Sequence, residues 1–123
     1  MATRRLPNYL RTYRKHSGLS QSEISFLIRL KDKSELSRYE RSLRQPSLRT
    51  ALACQEVYGR PVSELFAGLS DSVARESRNR MKRLQTRLQA NSEAQNAGRR
   101  IMQKFQWISQ RVLEMPNFKL VSA

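Results

Sequence analysis

Between Lys31 and Arg44 the chain concentrates the side chains best suited to recognition chemistry: Lys31, Lys33, Ser34, Ser37, Arg38, Arg41 and Arg44. A guanidinium can bond guanine O6 and N7 bidentately, and an ammonium can donate to the same atoms as a point charge. A serine hydroxyl donates or accepts and so specifies less. These are groups for holding a polyanion or reading a base edge. The alternative reading is a solvated charged face on an ordinary helical bundle, since surface Lys and Arg are common. Catalytic chemistry finds no such concentration. His16 is the single histidine and stands apart from Cys and from any carboxylate cluster, so metal and triad geometries lack partners. Cys54, between Ala51 and Val57, reads as a small buried side chain. The four glycines are scattered singly and form no phosphate loop. No enzyme, metal site or cofactor is expected.

The elements that would position these groups are helices. Leu6, Leu10 and Tyr13 recur at i, i+4, i+7 and define a first amphipathic helix over 6–16, with Gly18 just beyond it. Ser20-Gln21-Ser22-Glu23 is a capping box opening a second helix, which carries Ile24, Leu27 and Ile28. Asp32 and Glu35 repeat that logic for a third, with Leu36 and Tyr39 as its apolar stripe. Pro46-Ser47 begins a fourth, with Leu48, Ala51, Leu52, Val57 and Tyr58 apolar, ended by Gly59. Pro61 to Phe66 suffices for a short fifth. No stretch alternates as a strand does, so the fold class is all-α: a five-helix domain over 1–66, then a helical C-terminal region over 67–123. The second and third helices, split by a tight turn, suit a helix-turn-helix, one helix bracing the backbone and the next lying in a major groove.

Laid end to end, these residues resemble the lambda-repressor/Cro type of helix-turn-helix, the XRE family. The resemblance covers 6–66 and rests on Arg14, Gly18-Leu19-Ser20-Gln21, Ser37-Arg38-Tyr39-Glu40, Pro46-Ser47-Leu48 and Gly59…Glu64-Leu65-Phe66. It implies a repressor-like, DNA-binding domain. One departure stands out. Five residues separate Leu30 from Leu36 where the family usually has four, with the extra residue placed at Lys31. Arg29 occupies the turn position that is usually Gly. An insertion there can shift or tilt the reading helix.

Carried over by position, the resemblance makes Lys33, Ser34, Ser37 and Arg38 the base readers. Glu35 between them reads better as a capping carboxylate than as a cytosine contact. Gln21 takes the position whose amide bonds a phosphate, at a helix N-terminus. Arg41, Arg44 and Lys31 flank the third helix as further phosphate contacts. Arg14 and Glu40 take positions the family often joins as an ion pair between helices one and three, a structural role.

Residues 67–123 lie outside the resemblance. Ser70-Asp71 can cap a helix through Ser77, Met81, Leu84 and Leu88 to about Gln95, with a break at Asn96-Ala97-Gly98. Ile101, Phe105, Ile108 and Val112 then fall on one face of a last helix ending near Met115-Pro116. That stripe needs covering. A homodimer interface is the leading expectation, packing back on 6–66 the alternative, and an additional protein partner through 67–123 a third. Asn91, Gln95 and Gly98 argue against a sustained heptad. Arg75, Arg78, Arg80, Lys82, Arg83 and Arg87 circle the earlier helix, and Trp107 lies off the stripe.

Charge is consistent with these assignments without proving them. Lys and Arg number 24 against 10 acids, giving +14. The excess is even, 13 basic to 6 acidic in 1–66 and 11 to 4 in 67–123. Such a chain attracts polyanions regardless of base sequence. No window approaches a membrane span, no secretory core is present, and one cysteine permits no internal disulfide. With the resemblance, which implies a sequence-specific DNA-binding regulator, most often a repressor, these features predict a cytoplasmic, nucleoid-associated protein that binds double-stranded DNA as a dimer. An antitoxin-like protein whose tail holds a partner is the alternative, although the +7 tail disfavours it. An RNA-binding module would need a platform of exposed aromatics, and the chain has few to spare.

Overall fold

Each helix of the N-terminal unit starts or stops at a residue that satisfies its end groups. The computed structural model describes residues 6–94 and 98–115. Among them are seven helices and no strand: α1 (Leu10–Ser17), α2 (Gln21–Leu27), α3 (Lys33–Glu40), α4 (Leu48–Tyr58), α5 (Val62–Leu65), α6 (Ala67–Ala94) and α7 (Arg99–Glu114). The all-α expectation therefore holds. Ser20 and Glu23 close their capping box reciprocally at 3.1 and 2.9 Å. Asp32 Oδ1 accepts from the Ser34 and Glu35 amides, and Ser47 Oγ accepts from the Thr50 amide. Gly18 (φ 77°) and Gly59 (φ 67°) end α1 and α4 in the left-handed region.

The chain separates into two compact units, Met1–Asp71 and Ser72–Ala123, the division falling inside α6. The core of the first unit gathers Leu10, Ile24, Ile28, Leu36, Tyr39, Ala51, Cys54, Leu65 and Phe66. One buried residue per helical turn suffices here because five short helices converge on the same point. Burial pushes the Cys54 thiol up to about 11, so it stays protonated and acts as packing.

Three helix readings are corrected. α1 begins at Leu10, not Leu6. Pro7 lacks an amide to donate, Asn8 Oδ1 accepts from the Leu10 amide, and the segment before Leu10 is not helical. It is held in place by Tyr9 N–H to Leu65 O (2.8 Å), Gly68 N–H to Pro7 O (3.1 Å) and Ser42 Oγ–H to Leu6 O (2.6 Å). Gly68 is required for this approach, because a Cβ there would stand 2.7 Å from Pro7 Cδ and O. On α4, Leu48 and Leu52 are exposed, and the inward face is carried by Ala51 and Cys54 with Val57 and Tyr58 half-buried. α6 begins at Ala67, directly after α5, with Ser70 N–H bonded to Phe66 O, so Ser70-Asp71 caps nothing.

In the second unit, Gln85 Nε2 on α6 donates to Ser109 Oγ on α7 at 3.0 Å. Among the described residues of this unit, Leu88 and Ile108 are the buried ones. Ala74, Met81, Gln85 and Leu88 mark the less exposed side of α6, whereas Ser77 and Leu84 are exposed. The breaking residues Asn96 and Ala97, with Gln95 and Pro116, lie outside the described residues. Among the described residues no helix is long and apolar enough to cross a membrane.

Candidate nucleic-acid interface

α2 and α3 are joined through a turn whose backbone does the work usually given to glycine. Leu30 N–H bonds to Ser25 O (2.8 Å) and Arg29 N–H to Phe26 O (3.3 Å), a Schellman ending with Arg29 in the left-handed region at φ 61°. α3 ends the same way: Leu43 N–H to Arg38 O, Ser42 N–H to Tyr39 O, and Ser42 at φ 57°. Lys31, where the extra residue was placed, is exposed in a bend between Leu30, which packs on the core, and the cap Asp32. Leu36 remains fully buried. The additional residue is thus accommodated outside the packing.

The carboxylates of α3 and its cap are all engaged internally. Asp32 takes two amides and the Ser34 hydroxyl, and the Ser34 contact first, then the Glu35 amide, hold its carboxyl below the usual range. Glu35 does not close a box on Asp32. It accepts from the Lys31 amide (3.4 Å) and from the Tyr39 hydroxyl (3.1 Å), which keeps it at the helix base. Desolvation, then Glu35, raises the Tyr39 phenol above its ordinary value. Glu40 receives the Arg14 fork, Nε to Oε2 at 2.6 Å and Nη2 to Oε1 at 3.1 Å, with side chains only 14% and 3% exposed. The bond to Glu40 is also the main reason the Arg14 guanidinium is held still more firmly protonated.

With its acids occupied, α3 presents cations and hydroxyls outward. Lys33, Ser34 and Arg38 are exposed and Ser37 half-exposed. Because the Ser34 hydroxyl donates to Asp32, it retains acceptor capacity only. Arg41 is exposed, its Nε reaching Ser37 O at 3.3 Å, and Arg44 is exposed in the following loop. Gln21 sits at the first turn of α2, where its amide Nε2 donates to Glu40 Oε1 at 3.0 Å. Its placement beside the α2 N-terminus fits a phosphate position, yet its amide protons are partly committed to the ion pair.

A shallow open groove runs between α1, the start of α2 and α3. It brings together Gln21, Lys33, Ser37, Arg41 and the Arg14–Glu40 pair with Arg11, Lys15, Ser20 and Ser22. Lys31, Ser34, Arg38 and Arg44 are not part of its lining. Arg11 and Lys15 were missed in the sequence, although they stand one turn apart on the exposed side of α1, away from Leu10 and Tyr13. Asn8 was missed as well. It donates to Tyr39 O (2.9 Å) and Ser42 Oγ (3.0 Å), tying the N-terminal segment to the end of α3. Tyr13 donates to Glu64 Oε1 at 2.9 Å, with the Arg60 guanidinium 5.4 Å from its ring, a contact that closes α1 on α5.

Among the described residues no group of three or more His, Cys, Asp or Glu is placed to hold a metal. The expected interface stripe of α7 is partly occupied within its own unit: Ile108 is buried and Ile101, Phe105 and Val112 are half-buried. Compared with known families, residues 10–65 match the one described as helix-turn-helix. No curated protein and no solved structure matches the chain.

Proposed function

Taking as premise that residues 10–65 are a helix-turn-helix domain of the Cro/C1 (XRE) type, a DNA-binding fold, we propose that the protein is a sequence-specific transcriptional regulator. It binds double-stranded DNA as a homodimer and acts as a repressor, in the cytoplasm at the nucleoid, without catalysing a reaction. The observation that carries this reading is the division of labour on α3. Its carboxylates are consumed inside the domain, while Lys33, Ser37 and Arg38 face outward from a helix anchored by Leu36, Tyr39 and Arg14–Glu40. A helix so anchored presents donors at fixed positions to base edges in a major groove. Gln21, Lys31, Arg41 and Arg44 take phosphates, and Arg11 and Lys15 extend that set along α1.

Two-fold pairing is supported by the unfinished cover on α7. Met102 (43% exposed) and Leu113 (81%) continue the stripe of Ile101, Phe105, Ile108 and Val112 beyond what α6 hides. A second copy supplies the missing surface and sets two reading helices against a palindromic site. An additional protein partner on the same face is the competing occupant.

The test is binding to the DNA upstream of the protein's own gene against a scrambled duplex at about 150 mM salt. Preference for the upstream site by about 10³ or more is expected, with loss of that preference in Lys33→Ala/Arg38→Ala. Equal, salt-labile binding to both duplexes overturns sequence-specific recognition of this site. Light scattering in the same buffer should return twice the chain mass. A reporter driven by the upstream DNA should fall when the protein is supplied, and a rise would make it an activator.

A further inference from the structure

The helix-turn-helix does not use the outward face of α7, which combines cations with the chain's single tryptophan. Arg100, Lys104, Trp107 and Arg111 stand at i, i+4, i+7 and i+11, so they share one face of the helix. Trp107 is 62% exposed, and Arg100 and Lys104 are exposed. Arg111 is half-exposed and is shared with Glu114 at 3.6 Å, the one acid nearby on this helix. The stripe of Ile101, Phe105, Ile108 and Val112 lies on another side of α7, so packing the helix does not require this indole.

An indole left in water among three cations is poorly explained as a solvated helix face. A solvated face needs no large aromatic, and the core of a protein interface, though it takes Trp and Arg, is depleted of lysine, whereas here Lys104 stands one turn from the ring. The chemistry that uses both is base stacking beside phosphates: the ring's face takes a nucleobase and the flanking cations take the backbone. Duplex DNA cannot satisfy the ring, because its bases are already stacked on one another. We propose that this face of α7 is a second nucleic-acid site, taking an unpaired base on Trp107 while Arg100, Lys104 and Arg111 hold the neighbouring phosphates of a single strand. The span from Arg100 to Arg111 is about 16 Å along the axis, enough for a short extended run of nucleotides. The chemistry is common to single-stranded DNA and RNA.

Trp107 is its own reporter, since no other tryptophan contributes to the emission. The protein carrying Lys33→Ala/Arg38→Ala, which disables the proposed duplex reader, is titrated with an oligodeoxyuridylate or an oligouridylate of about 12 nucleotides, identical in base and different in sugar. A duplex of equal length and vesicles of anionic phospholipid form the other arms. Stacking quenches the indole, so quenching by a single strand and little change with duplex is expected. By anisotropy of a labelled strand, Trp107→Ala should bind roughly 5- to 150-fold more weakly, the range for losing one stacked base, and Trp107→Phe should restore most of it. Arg100→Gln/Lys104→Gln should reduce the salt slope by about 1.4. Stronger quenching by one oligomer identifies the sugar preferred. The proposal is overturned by equal quenching with duplex or by a single strand that binds without affecting Trp107. Trp107→Ala of unchanged affinity and intact circular dichroism also overturns it, as does a blue shift on vesicles without any response to single strands. Because the reader is disabled throughout, these outcomes are separate from failure of operator recognition.

Discussion

Arg29 and Ser42 both hold left-handed backbone at the ends of helices, but their side chains give the two strained positions different fates. A non-glycine residue there costs about 1 kcal/mol relative to glycine, offset partly by glycine's greater freedom in the unfolded chain. The Arg29 side chain is exposed, so Arg29→Gly should stabilise the fold by roughly 0.5–1 kcal/mol in urea unfolding. Ser42→Gly should not. It discards the hydrogen bonds to Leu6 O and from Asn8 Nδ2, each worth about 1 kcal/mol, and a net loss of about 1 kcal/mol is expected. The missing turn glycine was visible in the sequence, and the backbone keeps the conformation anyway. Ser42 could not be anticipated, because its partners lie more than thirty residues away in the chain. Asp32 gives a pH signature at the same scale. Its hydrogen bonds from Ser34 and Glu35 lower its folded pKa, so it contributes stability above the unfolded value that is lost as pH falls through the lower folded one. Melting temperatures should therefore decline below about pH 4, and Asp32→Asn, still a competent cap, should flatten that decline.

Arg14, Glu40 and Gln21 join three elements, α1, α3 and α2, through one carboxylate. Removing Arg14 leaves that carboxylate nearly dry with only Gln21 donating. Arg14→Met should therefore destabilise by about 2–4 kcal/mol, while Arg14→Met/Glu40→Gln, which also removes the charge, should be milder. If α3 is the proposed reading helix, operator affinity should follow in that order, because the helix loses its brace while keeping Lys33 and Arg38. Denaturation midpoints and binding of both variants check this. Helix boundaries were legible where local chemistry sets them: Ser20 with Glu23, Asp32, Ser47, Gly18 and Gly59. They were misread where a distant strand of chain decides. The start of α1 is fixed by bonds from Tyr9 N–H to Leu65 O and from Gly68 N–H to Pro7 O. Leu48 and Leu52 fit a helical stripe as well as Cys54 does, and only the convergence of α1, α3 and α5 selects the inward side. The site divides in the same way. The helix that carries Lys33, Ser34, Ser37 and Arg38 follows from periodicity and cap and their proposed reading role from the family resemblance, whereas Arg11, Lys15 and Asn8 come beside it only through packing.

At the scale of the molecule, an excess of 14 positive charges spread over both units separates affinity from recognition. Attraction to phosphate is shared by the whole chain, while the residues proposed to discriminate bases, Lys33 to Arg38, occupy less than two turns of α3. The two should come apart when the chain is cut. Every residue of the N-terminal core, the N-terminal segment bonded to Leu65 and Gly68, and the partly buried Leu69 lie within Met1–Asp71. A fragment ending at Asp71 should therefore fold, with α1 to α5 intact by circular dichroism and a single cooperative melt. It loses α7 and all 11 cations of 67–123, so its affinity for a scrambled duplex should fall and its salt slope should shrink with each phosphate contact removed. Its preference for one half-site over a mutated half-site should persist, since Lys33, Ser34, Ser37 and Arg38 remain. Cooperative occupation of two half-sites should vanish with the pairing surface. A fragment that fails to fold would instead make α6 beyond Asp71 part of the first core. A folded fragment that still pairs on a palindrome would move the dimer contact onto the exposed apolar residues of the N-terminal unit, Phe26, Leu27, Leu43, Leu48 and Leu52.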